Sequence, residues 1–485
     1  MLYQSTRGKE FSVDSAKAVL EGLAPDGGLY IADPSEIDFD WKACLQLPAK
    51  KMSACILSAL LPDFPDMDSL IEKAYAGKFE TEDLVPVVKV GDRYVLELFR
   101  GPTSAFKDVA LSVLPQLIPA ASKLLGNKGD VVILTATSGD TGKAALEGFH
   151  DVEGTKIMVF YPYKGVSKVQ ELQMSTQVGS NVKVCAVRGN FDDAQTGVKK
   201  VFAACQGEDL GGNSLSSANS INIGRLAPQV MYYFKAYADL LEKGEIALGD
   251  TVDYVVPTGN FGDILAGYYA KLLGLPVGTL VCASNANNVL TDFLNTGVYD
   301  KKREFYKTTS PSMDILVSSN LERLLFLLCK DEVYVKNLME SLSKTGEYKV
   351  SSEMFAKLQA EFACGCCDDE RAAKAIRDAF ENCGYLMDTH TAVAWAVADE
   401  YLAKNPGRSC VVLSTASPYK FPVAVLKALG KEPAEDEFEV MEQLCALSGV
   451  PVPANLSGLK TAEVLHTDVI DKEEMLSYVL KFARG

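Results

Sequence analysis

The segment TVDYVVPTGNFGDILAGYYAKLLGL, residues 251–275, decides the fold class. It opens with the apolar run Val252–Pro257, which predicts a strand buried on both faces of a parallel sheet. A loop with two glycines follows, and from Ile264 to Leu273 apolar residues recur at helical spacing. A strand, a glycine-bearing loop and a helix in this order form one unit of an α/β protein. In such proteins ligands bind beyond the carboxyl ends of the strands.

The same alternation recurs on both sides of this segment. Further apolar runs predict the strands Val131–Thr135, Ile157–Tyr161, Val182–Val187, Leu280–Ser284 and Cys410–Leu413. Residues 1–90 have instead the pattern of helices and turns with prolines between them. We therefore predict an α/β fold with parallel sheets in two lobes plus an N-terminal, mostly helical domain. The predicted domains are residues 1–93, 94–230 and 231–485.

Composition limits the partners and the compartment. The formal net charge of −16 argues against nucleic acid, which is bound by surplus lysine and arginine. The twelve cysteines are not spaced like a secreted disulfide framework, and several lie within apolar runs, which indicates a reducing compartment. The first residues lack the apolar core of a signal peptide, and no apolar run is long enough to span a membrane. These features predict a soluble cytoplasmic protein without membrane or nucleic-acid partners.

A lysine at the start of a predicted helix is the first candidate for chemistry. Lys107 stands near the end of ELFRGPTSAFKD, residues 97–108, directly after Ala105 and Phe106. Burial in an apolar pocket and the dipole of a helix N-terminus both disfavour a protonated amine. An amine in this state is suited to be a Schiff-base or general-base lysine. The alternative is a surface lysine in the first helical turn.

Three more loops follow predicted strands. TATSGDTGK, residues 135–143, could present backbone N–H groups to an anion such as a carboxylate. It is not a Walker A motif, because Thr137 replaces the first glycine and Ala144 replaces the final hydroxyl residue. The loop GNFGD, residues 259–263, could hold a phosphate without basic side chains. A hydroxyl in STASP, residues 414–418, could hydrogen-bond a ring nitrogen, although an ordinary turn is the alternative for each loop.

Two other groups of residues carry weaker signals. Cys364, Cys366 and Cys367 are close together, but no second cysteine pair or nearby histidine accompanies them. We predict no metal site there and expect a turn at a helix terminus instead. His390 could be catalytic, but a hydrogen-bonded structural histidine is the favoured interpretation.

Together these motifs resemble the threonine synthase family, in the form found in many bacteria and in fungi. The resemblance runs in the same order from residue 5 to about residue 425. The segments that carry it are STRG (5–8), GLAPDGGLY (22–30), GPTSAFKD (101–108), TSGDTG (137–142), SSANSINIGR (216–225), GNFGDILAGYYAK (259–271), SPSMDILVSSN (310–320), DTHTAVA (388–394) and STASPYKFP (414–422). It implies a fold type II enzyme that uses pyridoxal 5'-phosphate and is similar in fold to the tryptophan synthase β group.

The resemblance also implies roles for single residues. Lys107 would hold the cofactor as a Schiff base, and Thr415 would contact the pyridine nitrogen. The cofactor phosphate would lie in a cup formed by Gly259, Asn260, Phe261, Gly262 and Asp263. The amino-acid end of the substrate would face Ser138, Gly139, Asp140 and Thr141, and its phosphate would contact Asn219, Ser220 and Arg225. For Arg225 there is also a chemical argument, since a guanidinium fork suits a phosphate dianion.

The chain departs from many relatives at three positions near these loops. Ser104 replaces a leucine and Arg100 a histidine, and Lys143 stands where a small residue is common. None of the three changes the cofactor prediction, but Lys143 could alter how the substrate is held.

The implied reaction is the conversion of O-phospho-L-homoserine and water to L-threonine and phosphate, by γ-elimination and β-addition of water. Lys107 would be the base for the Cα proton. A related phospho-lyase that releases a 2-oxo acid, a serine or threonine dehydratase, and a ligand-binding relative without activity are the alternatives. The SSANSINIGR loop argues against a dehydratase, which needs no phosphate-binding arginine. No oligomeric state is predicted.

Overall fold

The computed structural model describes residues 1–137, 139–205 and 210–484. Its strands are, in chain order, β1 (Tyr3–Ser5), β2 (Gly8–Val13), β3 (Tyr30–Ile31), β4 (Val87–Val90), β5 (Arg93–Glu97), β6 (Val131–Ala136), β7 (Thr155–Pro162), β8 (Val182–Arg188), β9 (Ser214–Ser217), β10 (Val252–Pro257), β11 (Val277–Ser284), β12 (Val298–Asp300), β13 (Glu347–Lys349), β14 (Phe362–Cys366), β15 (Cys410–Ser414) and β16 (Val469–Asp471).

Its α-helices are, in chain order, α1 (Ser15–Glu21), α2 (Trp41–Cys44), α3 (Ala49–Leu60), α4 (Met67–Tyr75), α5 (Lys107–Leu124), α6 (Asp140–Phe149), α7 (Lys168–Ser175), α8 (Phe191–Ala204), α9 (Ile223–Leu226), α10 (Val230–Glu242), α11 (Gly262–Leu272), α12 (Val289–Thr296), α13 (Leu321–Cys329), α14 (Glu332–Thr345), α15 (Ser352–Glu361), α16 (Asp369–Cys383), α17 (Thr389–Lys404), α18 (Pro422–Ala428), α19 (Glu437–Ser448), α20 (Ala454–Ser457) and α21 (Met475–Arg484).

Two largely parallel sheets form the centre of the molecule. The larger has the strand order β14-β11-β10-β15-β5-β4, in which only the edge strand β4 runs antiparallel to its neighbour. The smaller has the order β16-β8-β7-β6-β9 and is parallel throughout. Strands β6 and β10 are buried along their whole length. This explains their nearly continuous apolar sequences, since helices cover both faces of such strands.

The fold class and the predicted strands are confirmed. The six apolar runs correspond to β6, β7, β8, β10, β11 and β15. The N-terminal part is mostly helical, as predicted, and also contains the small antiparallel sheet β2-β1-β3. One continuous apolar core joins its helices to both large sheets.

The sheets draw strands from distant parts of the sequence. Strand β15 pairs with β5 on one side and with β10 on the other. Strand β16, near residue 470, joins the sheet formed by residues 131–217. Each large sheet thus contains strands from more than one of the three predicted domains. The domain boundaries near residues 93 and 230 therefore stay a prediction.

The turn expected at the cysteine cluster is not what the structure shows, so this prediction is wrong. The structure shows a strand here rather than a helix-terminus turn. This strand, β14, contains Cys364, Gly365 and Cys366 and runs parallel to β11. Small side chains fit here because Val397 of α17 packs against Gly365, where a Cβ would lie 2.8 Å from a Val397 methyl carbon. None of the helices in the described part of the chain combines the length and apolar character needed to span a bilayer.

Candidate active site

Lys107 is the first residue of α5 and follows strand β5 by a short loop. Its side chain is buried, with 8% of the residue exposed, and Nζ lies 4.4 Å from the centroid of the Phe106 ring. The pKa of the Lys107 amine is lowered to about 8, mainly by burial; Asp140 opposes this effect, and Lys420 and Arg225 add to it. The sequence prediction of a buried amine at a helix N-terminus thus agrees with the geometry, which excludes the surface-lysine alternative.

The carboxylate of Asp108 fixes the loop that precedes Lys107. It accepts hydrogen bonds from the backbone N–H groups of Thr103 (2.8 Å) and Ala105 (3.3 Å) and from the Thr103 hydroxyl. The loop passes through Ser104 in the left-handed region, at φ 58°. Asp108 is fully buried, so these bonds replace the water that its carboxylate would otherwise need.

The loop after β15 lies directly against the lysine loop. The N–H of Phe106 donates to the Thr415 carbonyl at 2.8 Å, and the N–H of Ser417 donates to the Ser104 carbonyl at 3.0 Å. Thr415 itself is 5% exposed. These backbone bonds hold Thr415 against the loop that precedes Lys107, because the two loops leave neighbouring strands of one sheet.

The glycine loop after β10 turns sharply into α11. Phe261 precedes the helix in the left-handed conformation, at φ 62°. A Cβ at Gly259 would lie 2.9 Å from the Ser312 carbonyl oxygen, so that only glycine fits without a shift of the backbone. The first N–H groups of a helix have no acceptor within it, so this loop presents backbone donors at a helix N-terminus.

Asn260 and Asp263 complete this loop in different ways. The Asn260 carbonyl accepts from the backbone N–H and from the Nδ2 of Asn320, at 3.0 and 3.1 Å. The Tyr233 hydroxyl lies 3.2 Å from Asp263 Oδ1, and Oδ2 is buried without a hydrogen-bond partner among the described residues. Burial raises the pKa of Asp263 to about 7, against the opposing effects of Tyr233 and Lys107.

The loop after β6 leads into α6 through Gly139, at φ 141°. The Thr137 hydroxyl accepts from the N–H groups of Gly139 and Gly142, both at 2.9 Å. Asp140 is the first residue of α6 and is buried, whereas Thr141 is partly exposed. Ser138, also predicted to face the substrate, lies outside the described residues.

A buried ion pair in this region involves Lys420, a residue that sequence reasoning missed. Lys420 Nζ lies 2.9 Å from Asp140 Oδ1, and the two side chains are 0% and 3% exposed. Burial alone would raise the pKa of Asp140, but Lys420 and Lys107 hold it well below its usual range. The available signal was a lysine within the motif STASPYKFP, a few residues after a buried strand.

Arg225 and Asn219 each carry a buried polar atom without a hydrogen-bond partner in the described part of the chain. Arg225 is 3% exposed, and its Nη1 donates to the Ala218 carbonyl. Its Nε, like Asn219 Oδ1, is buried and has no hydrogen-bond partner among the described residues. Burial lowers the pKa of Arg225 to about 10. A Cβ placed on Gly262 would lie 4.0 Å from Ser220 Cβ, so this loop adjoins the glycine loop.

His390 and Lys143 are engaged by other side chains and backbone groups of the protein. Ser312 donates its N–H to His390 Nε2 at 3.1 Å, which places the ring proton on Nδ1, 2.8 Å from Asp388 Oδ1. Both ring nitrogens are therefore bonded, as the favoured structural interpretation expects. Lys143 Nζ pairs with Glu147 at 2.9 Å and also donates to Gln177.

Charged residues of α6, α9 and α11 and of the segment after β15 thus lie close enough to the Lys107 amine to act on it. A buried lysine and a glycine loop, each at a helix N-terminus beyond the strands of largely parallel sheets, are features of a pyridoxal-phosphate-dependent enzyme of fold type II. A family model described as pyridoxal-phosphate dependent enzyme matches residues 90–416. Models of the threonine synthase N terminus and C-terminal region match residues 2–75 and 391–475. The chain belongs to the threonine synthase family.

Individual relatives support this assignment over most of the chain. The threonine synthase of Pseudomonas aeruginosa is 39% identical over 443 residues, which are 90% of this chain and 92% of that protein. The crystal structure of a threonine synthase from Brucella melitensis with bound pyridoxal phosphate has a TM-score of 0.86 and 37% identity, covering 100% of this chain and 99% of that one. The yeast threonine synthase structure has a TM-score of 0.88 at 31% identity, covering 99% and 98%.

The chain is also 39% identical over 437 residues to threonine synthase-like 1 of Pongo abelii. The match covers 85% of this chain and only 58% of that relative's length. The enzyme class and the cofactor follow from the family. The chain thus belongs to a family of pyridoxal-phosphate-dependent carbon–oxygen lyases.

Proposed function

We propose that the protein converts O-phospho-L-homoserine and water to L-threonine and phosphate. The observation that carries this proposal is Arg225, a buried guanidinium without a carboxylate partner among the described residues, close enough to Lys107 to lower the pKa of its amine. A buried cation without a protein anion indicates that an anionic ligand group completes the site. The glycine loop accounts for the cofactor phosphate, so Arg225 can serve a second phosphate, that of the substrate.

The residues that would hold the cofactor fit it chemically. Lys107 offers an amine whose pKa of about 8 leaves about a tenth of it uncharged at pH 7, and we propose that it binds the cofactor covalently. The backbone donors of Gly259, Asn260, Phe261, Gly262 and Asp263 would surround its phosphate. Close packing of Gly259 against the backbone of Ser312 and Met313 would hold this loop in one conformation. Bound pyridoxal phosphate supplies the electron sink for charge that develops on the substrate.

The protein itself would supply proton transfer and orientation. Lys107 is the proposed base for the substrate Cα proton, because its amine is buried, partly uncharged and located at the meeting point of the loops. Backbone N–H groups at the start of α6, from Gly139 to Thr141, would orient the substrate carboxylate, together with the predicted contact of Ser138. Arg225, with Asn219 and Ser220, would bind the phosphate and stabilise its departure.

Thr415 is the proposed contact of the pyridine nitrogen. A hydroxyl can donate a hydrogen bond to that nitrogen but, unlike a carboxylate, does not stabilise a protonated ring. The sink would then be weaker, and proton placement by Lys107 would contribute more to the reaction. The backbone bond that joins Thr415 to the lysine loop supports this location.

Two alternative activities use the same loops. A phospho-lyase would release a 2-oxo acid after elimination, and a serine or threonine dehydratase would act on substrates without phosphate. The unpartnered Nε of Arg225, a buried donor within the described part of the chain, favours a phosphorylated substrate over a dehydratase substrate. The addition of water distinguishes the synthase from the lyase.

The deciding experiment measures phosphate release from O-phospho-L-homoserine and identifies the organic product by chiral chromatography. The proposal predicts equal amounts of phosphate and L-threonine, with much slower turnover of L-serine and L-threonine. Phosphate with 2-oxobutyrate would establish the lyase instead.

Borohydride reduction followed by peptide mapping tests the attachment site, and a pyridoxyl group on a lysine other than Lys107 would contradict the assignment.

A further inference from the structure

Lys420 joins the loop before Lys107 to the loop at the start of α6. Its Nζ donates to the Thr103 carbonyl at 3.0 Å and lies 2.9 Å from Asp140 Oδ1. Its own segment is held by the backbone bond between Ser417 and Ser104. A fully buried lysine requires compensation for its lost hydration, so this arrangement indicates a specific function rather than a solvent-facing charge.

The position of Asp140 creates an electrostatic problem. The start of α6 is the proposed location of the substrate carboxylate, yet Asp140 places a buried carboxylate at the same helix N-terminus. Two carboxylates close together in a region of low dielectric repel each other strongly. A cation that pairs with Asp140 removes this repulsion.

We propose that Lys420 is a positioning residue that neutralises Asp140, so that the loop of residues 139–142 can accept an anionic substrate group. The opposite charges of Lys420 and Asp140 also offset each other in their effect on the Lys107 amine. This inference rests on the proposed function for the identity of the anionic group. The part that concerns Lys107 does not depend on the substrate. Lys420 acts through Asp140 and is not itself assigned a contact with substrate.

Charged groups from several elements face Lys107 and influence the protonation of its nitrogen. They are Asp108 of α5, Asp140 of α6, Arg225 of α9, Asp263 of α11 and Lys420 beyond β15. Removing Lys420 takes away a repelling cation and leaves Asp140 without its partner. Both changes favour a protonated Lys107 nitrogen, because Lys107 itself still holds Asp140 in its charged form. Removing the charge of Asp140 alone leaves Lys420 unpaired. This change disfavours a protonated Lys107 nitrogen.

The test is a pH titration of the visible absorbance band of the holoenzyme without substrate, because this band reports protonation of the nitrogen that joins Lys107 to the cofactor. For Lys420→Met the apparent pKa should rise by about 1 unit or more, and for Asp140→Asn it should fall by about 1 unit. In the double variant Lys420→Met with Asp140→Asn it should return to within about 0.5 unit of the parent value, because the two changes cancel. Lys143→Met, which removes another paired lysine next to the same loop, should leave the titration unchanged.

Shifts of the same sign in both single variants, or no recovery in the double variant, would overturn the inference. If Lys420→Met does not fold, the double variant carries the test. It should fold and bind cofactor, and its failure to do so would also contradict neutralisation as the function of Lys420. The titration uses no substrate, so it is independent of whether O-phospho-L-homoserine is turned over. Product analysis of the parent enzyme tests that separate point.

Discussion

Replacing Arg225 by methionine should weaken substrate binding and, at the same time, stabilise the ligand-free protein. Burial lowers the pKa of Arg225 to about 10. A pKa about 2.5 units below that of an ordinary arginine corresponds to about 3 kcal/mol of unfavourable burial. Methionine fills a similar space without the charge, so the free energy of unfolding without substrate should rise by about 1–3 kcal/mol. Without the guanidinium, the charge-assisted hydrogen bonds to the substrate phosphate cannot form, which should cost about 2–4 kcal/mol, or roughly 30- to 900-fold in affinity.

Arg323 offers a matched control, because it is also a fully buried arginine whose burial lowers the pKa to about 10. Its nitrogens donate to the Tyr30 carbonyl (3.0 Å), Asn320 Oδ1 (2.6 Å) and the Ile221 carbonyl (2.5 Å). Arg323→Met should therefore destabilise the protein, since it leaves three acceptors in the protein interior unpaired. Urea unfolding of both variants, together with phosphate-release kinetics for Arg225→Met, checks the contrast. Unchanged substrate affinity or lower stability of Arg225→Met would refute the assignment of an anion site.

Three further results are expected. The rate of cofactor attachment to the apoenzyme should rise with pH and level off above about pH 8, because only the uncharged Lys107 amine reacts and burial lowers its pKa to about 8; a rate that still climbs at about pH 10 in stopped-flow absorbance would contradict this. Gly259→Ala should weaken cofactor affinity by about tenfold or more, because the new Cβ would lie 2.9 Å from the Ser312 carbonyl oxygen. Gly458→Ala, whose new Cβ would meet open space, should leave the affinity unchanged, and equilibrium dialysis measures both variants. Thr415→Asp should change turnover markedly by stabilising a protonated ring nitrogen, and unchanged steady-state kinetics would remove Thr415 from that position.

The elements that could be predicted from the sequence are those with a strong local signal. Strands such as Val252–Pro257 consist almost wholly of apolar residues, because both faces are buried, and the sequence locates them within a few residues. Lys107 and the glycine loop could be placed because each stands at a junction between a predicted strand or turn and a helix. Local pattern and final structure agree at these points.

The features that escaped prediction depend on contacts between distant residues. Strand β14 contains cysteines and a glycine rather than β-branched residues, so its place beside β11 comes from packing against α17. Lys420 resembles a solvent-facing lysine until its partner Asp140 is known, and the two are brought together only when separate sheets are assembled. Sheet order, for the same reason, could not be read from the individual strands.

The insertion of β15 between β5 and β10 has a consequence for biosynthesis. As the chain leaves the ribosome, β5 and β10 emerge long before the strand that must separate them. Until residues 410–414 are released, both carry an open edge that could pair wrongly with each other or with another nascent chain. Pairings between such distant segments form slowly. The larger sheet, and with it the contact between the Thr415 loop and the loop before Lys107, can therefore close only after residues 410–414 have been released.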